Sequence, residues 1–157
     1  MSFNLSEKEY IIRLDWPNLT ETNFTKSSEY NPYYNCIAFA AYPNAEELDQ
    51  WWWPGSTGAY WPNSNRAITI DNFRDTFQHE LGYEVCDSGE LVSGYEKVAL
   101  YVDVNGLPTH MSRQLDDGKW VSKLGRLEDI RHEDGLQILD GPLYGKVILF
   151  MKRTRVN

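Results

Sequence analysis

Apolar positions change their period along this chain: spacings of three and four in the first half give way to continuous and alternating runs in the second. Ile70, Phe73, Phe77 and Leu81 share one face of a helix, so residues 69–81 are predicted to form an amphipathic helix. Thr69 or Asp71 suits its start and Gly82 its stop, while His79 faces away from the apolar stripe and reads as a solvated helix histidine. Upstream, Cys36 to Tyr42 is a small apolar run that follows the turn signal Asn31-Pro32, and it is predicted to be a short central helix. Pro43 shortens or breaks it before Glu46-Glu47-Leu48. From Lys97 the pattern is that of strands. Val98-Ala99-Leu100-Tyr101-Val102 is apolar throughout, as in a strand buried on both faces. Asn105-Gly106 then turns the chain, and residues 109–115 and 119–123 flank a second turn at Asp116-Asp117-Gly118 as an antiparallel hairpin. Residues 126–138 read as a short helix or packed loop, and Val147 to Met151 as a final strand. Tyr83 to Cys86 is a further short extended piece, and Lys152-Arg153-Thr154-Arg155 reads as a solvated basic end.

Helices first and antiparallel strands afterwards make an α+β fold, with N-terminal helices packed on a small sheet. The 157 residues fit one domain, in which residues 1–30 are a polar lead-in and residues 43–68 a tryptophan-rich insert. Within the lead-in, residues 7–14 suit a short helix that ends at Trp16-Pro17, and residues 18–29 have loop character. The insert holds Trp51, Trp52, Trp53 and Trp61, which either fold back over the core or form an aromatic wall beside a cleft.

Charge narrows the partners. A net charge of −8 and the lack of Lys and Arg among the tryptophans argue against nucleic acid. The first residues do not form a basic region followed by an apolar one, and no apolar run has membrane-helix length. A cytoplasmic location is expected, one compatible with export by a dedicated secretion system. The sequons Asn18-Leu19-Thr20 and Asn23-Phe24-Thr25 are therefore read as chance matches. Cys36 and Cys86 give no disulfide framework and no zinc pattern, and both are expected to be reduced. A site built from Cys36, Cys86, His110 and His132 matches no metal-ligand spacing, so no metal or cofactor is expected.

The candidate chemistry centres on Cys36. A thiol at a helix N-terminus is where backbone N–H groups favour the thiolate, although a buried cysteine is as readily a small hydrophobe. A nucleophilic thiol needs a base, and the base needs an orienting group. Of the three histidines, His110 opens a strand of the hairpin and is the best geometric partner for Cys36, while His132 sits in the irregular region. Strand alternation places Ser112, Gln114, Trp120 and Ser122 among the neighbours of the His110 face, and Ser122 could orient the imidazole.

Asn35-Cys36-Ile37-Ala38, followed by His110 through Gly118 to Trp120-Val121-Ser122-Lys123-Leu124-Gly125, resembles papain-like cysteine peptidases of the NlpC type. The order of cysteine, histidine and third polar residue agrees, and so does the length of the hairpin. Ser122 replaces the His, Asn or Gln usual in the family, and Ile-Ala replaces its Ser-Gly after the cysteine. The Asn-Cys, Thr-His and Trp-x-Ser-Lys-x-Gly pattern is similar to a bacterial group of papain-like domains, some in toxin or effector contexts. The resemblance covers residues 33–42 and 96–124 and implies a papain-like fold. It also implies a cysteine hydrolase of peptide or amide bonds with Cys36 as nucleophile, His110 as acid–base and Ser122 as orienter. Tyr34, Asn35 and the Cys36 N–H would border the oxyanion, Lys123 would favour the thiolate, and Trp51, Trp52, Trp53 and Trp61 would wall the cleft. The alternative is a non-catalytic papain-like binding, immunity or adaptor protein that meets a peptide or protein through its tryptophan-rich face.

Overall fold

The computed structural model describes residues 16–20, 22–28, 33–42, 50–124 and 129–155. The expectations for residues 7–14, for the turn at Asn31-Pro32, for Glu46 to Leu48 and for Gly125 to Leu127 lie outside them.

Among the described residues, two helices pack on one face of a seven-stranded sheet. Helix α1 is Cys36–Ala41, with every residue buried. Asn35 caps it by accepting the Ala38 N–H at 3.1 Å, which satisfies one of the donors a helix start leaves open. Helix α2 is Ile70–Leu81. The Thr69 hydroxyl caps its first turn, and Gly82 ends it in the left-handed region at φ 77°, a conformation open to glycine at little cost. Phe73 and Phe77 point into the core and His79 points out, as the periodicity predicts.

The strands are β1 (Phe24–Ser28), β2 (Glu84–Cys86), β3 (Tyr95–Val102), β4 (Pro108–Gln114), β5 (Trp120–Lys123), β6 (Asp129–His132) and β7 (Lys146–Thr154). Their order across the sheet is β1-β6-β5-β4-β3-β7-β2, and every neighbouring pair is antiparallel. The continuous apolar run lies on β3, between β4 and β7, as a run buried on both faces must.

Two elements depart from the sequence reading. The polar residues of β1 form a strand rather than loop, because β6 offers them a ladder with Phe24 opposite His132 and Lys26 opposite Ile130. Likewise β6 replaces part of the mixed region before residues 136–139, which form a short 3-10 helix. The basic end is also corrected. Lys152, Arg153 and Thr154 continue β7, and Arg153 is paired with the buried carboxylate of Glu96 at 2.8 Å.

Strand register assigns the side chains to faces. Val98, Leu100, Met111, Arg113, Val121, Lys123 and Met151 lie toward the helices, and Arg113 stands over the Phe39 ring of α1. The opposite face carries Ala99, Tyr101, His110, Ser112, Trp120, Ser122, Ile130 and His132. A second core of Trp16, Leu19, Phe24, Tyr101, Leu124, Ile130, Ile138, Leu139 and Tyr144 covers part of that face. Gly89 packs against Trp120 and Phe150 nearby. Among the described residues no helix is long and apolar enough to cross a membrane.

Candidate functional site

Cys36 is the first residue of α1 and 6% exposed. It packs in the helix-side core with Met111 and Val121. Burial pushes its thiol up to about 11, because a thiolate there would lose its hydration. The backbone N–H groups of Met111, Ile37 and Cys36 and the Lys123 ammonium pull the other way and do not offset it. Lys123, also buried, stands over the Tyr34 ring, with its ammonium 5.1 Å from the ring centroid. The Tyr34 hydroxyl donates to Asp129 Oδ2 at 2.6 Å. Asp129 is the register partner of Lys123 on β6. Cys36, Tyr34, Asn35 and Lys123 are thus gathered on the helix side of the sheet.

His110 is not with them. Its ring is stacked on Tyr144, with centroids 4.2 Å apart, and meets Tyr101 edge-on at 5.2 Å. Both tyrosines belong to the core on the far side. The sheet therefore separates Cys36 from His110, and the expected pair is corrected on this point. The reason is parity: adjacent residues of a strand point to opposite faces, and on β4 it is Met111, not His110, that meets α1. Burial holds His110 well below the ordinary histidine value, and the neighbouring His132 adds to this.

Ser122 does share the His110 face, as the hairpin reading places it, together with Ser112, Gln114 and Trp120. It does not orient His110 directly. Its Oγ lies 2.6 Å from Ser112 Oγ and 2.7 Å from His132 Nε2. Ser112 Oγ in turn lies 3.5 Å from His110 Nε2, a long contact. His132 Nδ1 donates to the Gly135 carbonyl at 2.8 Å. Burial lowers His132 to about 4, with the Gly135 bond opposing. Ser112 and Ser122 face each other next to the last paired positions of the β4–β5 ladder, Arg113↔Val121. Their hydroxyls continue that register by side chain. Strand alternation through the hairpin carried the signal for Ser112. None carried it for His132, because β6 is not visible in the local pattern.

The tryptophans are core rather than cleft wall. Trp52 and Trp61 are buried, and Trp51 and Trp53 are half-buried. Trp61 packs on Phe73 of α2 at 4.9 Å, and Trp53 does so at 5.7 Å. The Arg66 guanidinium holds their loop by donating to the carbonyls of Pro54, Trp53, Ser56 and Ala59. The more exposed rings beside them are tyrosines. Tyr42 and Tyr60 flank buried Trp52 at 5.5 and 5.1 Å and are 37% and 44% exposed. Both cysteines are free. Among the described residues no three His, Cys, Asp or Glu side chains gather as metal ligands would.

Fold and site together define an α+β protein whose antiparallel sheet separates a buried thiol from a buried histidine–serine network. Residues 25–152 match the family model described as Domain of unknown function (DUF7689), and the chain belongs to that family. No curated protein matches it. No solved structure does either.

Proposed function

We propose that the protein is a non-catalytic binding module on a papain-like scaffold, which recognises a peptide or protein partner through the aromatic surface of Tyr42 and Tyr60. The observation that carries this reading is the placement of Cys36 and His110 on opposite faces of the sheet. An imidazole there cannot take the thiol proton. The papain-like reading of the scaffold is supported by a cysteine in the first turn of a helix that packs on the following antiparallel strands. The exposed tyrosines on a rigid tryptophan base supply the amphipathic contact area that protein interfaces favour.

The test is the rate of Cys36 alkylation by iodoacetamide against pH, in the wild type and in His110→Gln. Slow reaction, rising only in strong alkali and alike in both proteins, is expected. Fast reaction well below the free-thiol range of about 8.5, lost in His110→Gln, would overturn the reading.

A cysteine hydrolase of peptide or amide bonds is the second reading. It is favoured by the three backbone N–H groups and the Lys123 ammonium that act on the Cys36 thiol to stabilise its anion. It requires that Cys36→Ala abolish all thiol-dependent hydrolysis. Hydrolysis that survives in that variant removes it.

A further inference from the structure

The network on the far face has a direction set by hydrogen count alone. A carbonyl oxygen only accepts, so His132 Nδ1 carries a hydrogen toward Gly135. In the neutral ring Nε2 is then bare and accepts the Ser122 hydroxyl. Ser122 has spent its one hydrogen, so Ser112 donates to it. Ser112 is spent in turn, and His110 Nε2 donates along the long contact. That leaves His110 Nδ1 bare, and this buried atom has no hydrogen-bond partner among the described residues. The chain crosses three neighbouring strands, from β4 through β5 to β6, and ends at the residue before the 3-10 helix.

We propose that His110, Ser112, Ser122 and His132 are a proton wire that takes up one proton between its two imidazoles, and that this uptake is an acid-sensitive latch on the far face of the sheet. A proton bound at His110 Nδ1 lets the Nε2 hydrogen pass to Ser112. The Ser112 hydrogen then passes to Ser122, and the Ser122 hydrogen to His132 Nε2. Every hydroxyl keeps one hydrogen, and the network gains one proton. The positive charge rests on His132, whose two N–H groups then point at Gly135 O and Ser122 Oγ. His110 ends neutral in its other tautomer and accepts from Ser112, so every bond in the wire has reversed.

A second proton is opposed by the charge already on His132. Among the described residues, the groups packed around the wire include no carboxylate in contact with either imidazole. Tyr101 of β3 and Tyr144 of the turn before β7 contact His110, and Phe24 of β1 is paired with His132. Tyr101 donates to the Leu136 carbonyl at 2.6 Å, the Ser112 hydroxyl acts on its phenol oxygen, and the nearby carboxylate is Asp140. Lys123 and Asp129 belong to the other face. The wire ends where Gly135 leads into the 3-10 helix. Asn18 is tied to the carbonyls of Gln137 and Asp140 beyond it. The Gly135 bond itself favours the charged ring, but the ring is buried, so a charge on His132 is relieved by local opening of residues 133–145 and of the lead-in segment that packs on them, which lets water reach it.

The experiment is long-range 1H–15N NMR of the full chain with 15N-labelled imidazoles, from pH 7.5 downward. At neutral pH His132 is expected as the Nδ1–H tautomer and His110 as the Nε2–H tautomer. On acidification His132 becomes imidazolium, and His110 swaps tautomer in the same step while staying neutral. In Ser122→Ala the His110 signal no longer follows His132. Ser112→Ala cuts the wire at its other hydroxyl and gives the same result if Ser122→Ala does not fold. The amide protection factors over residues 133–145, referred to the intrinsic exchange rate at each pH, are expected to fall about tenfold or more as His132 charges. An Nε2–H tautomer of His132 at neutral pH, or two independent uptakes near 6.5, would overturn the wire. Unchanged amide protection through the titration would overturn the latch.

Discussion

The guanidinium of Arg153 donates to Glu96 Oε1 at 2.8 Å, to the Leu81 carbonyl at 2.9 Å and to the Ala41 carbonyl at 3.2 Å, and it lies over the Tyr83 ring. One side chain on β7 thus satisfies the last turns of both helices, where carbonyls are left without helical partners. Its counter-ion Glu96 is 2% exposed. Arg153→Met leaves that carboxylate buried and unpaired, and is expected to cost about 3–5 kcal/mol in urea unfolding. Glu96→Gln removes the charge but keeps an acceptor, and is expected to cost clearly less. Asn35 is the second residue of this kind. Its Oδ1 accepts from Ala38 N–H and Trp52 N–H, and its Nδ2 donates to the Trp52 carbonyl at 2.7 Å. Asn35→Ala is expected to cost about 2 kcal/mol or more, since it removes a cap and strands two backbone groups of Trp52. Asn35 was legible as the neighbour of Cys36, but its role was not. A cap is written locally, whereas a bond to a residue seventeen positions on is not.

At the scale of elements, the tryptophan loop and the hairpin before β7 rest on single features. Arg66 bonds four loop carbonyls and so replaces the ladder that this irregular segment lacks. Arg66→Ala is expected to lower stability by about 2–3 kcal/mol and to raise protease sensitivity within residues 50–62, read by limited proteolysis. Gly145 sits at φ 75°, and a Cβ there would collide with the Val102 carbonyl oxygen. Backbone cannot yield as a flexible side chain can, so Gly145→Ala is expected to cost about 3 kcal/mol or more. The neighbouring Tyr144 ring would shift with it and expose His110, which a changed His110 NMR signal would report.

Across the whole molecule, buried titratable groups shape stability against pH. His132 titrates near 4 when folded and at its ordinary 6.5 when unfolded. Above 6.5 its contribution is fully present, and it is lost as pH falls from 6.5 toward 4, by about 3 kcal/mol. His110 is lowered too and acts in the same direction. Cys36 works from the alkaline side. Its folded value of about 11 lies above the ordinary 9.0, so its contribution is present below 9.0 and is lost as pH rises toward 11. Unfolding by urea is expected to show greatest stability between pH 6.5 and 9, with a flatter alkaline limb in Cys36→Ala. What the sequence determined by itself is everything carried by local period and turn chemistry: α2 with both its caps, the short helix at Cys36, the buried run of β3 and the hairpin of β4 and β5 with its face of Ser112, Trp120 and Ser122. Tertiary structure alone decided which face of that hairpin meets α1. It also made strands of the polar β1 and β6, and drew His132 to Ser122 and Arg153 to Glu96. The physical reason is that a strand has two equivalent faces in sequence and only its neighbours choose between them. Polar segments likewise become strands only when another strand supplies the hydrogen bonds.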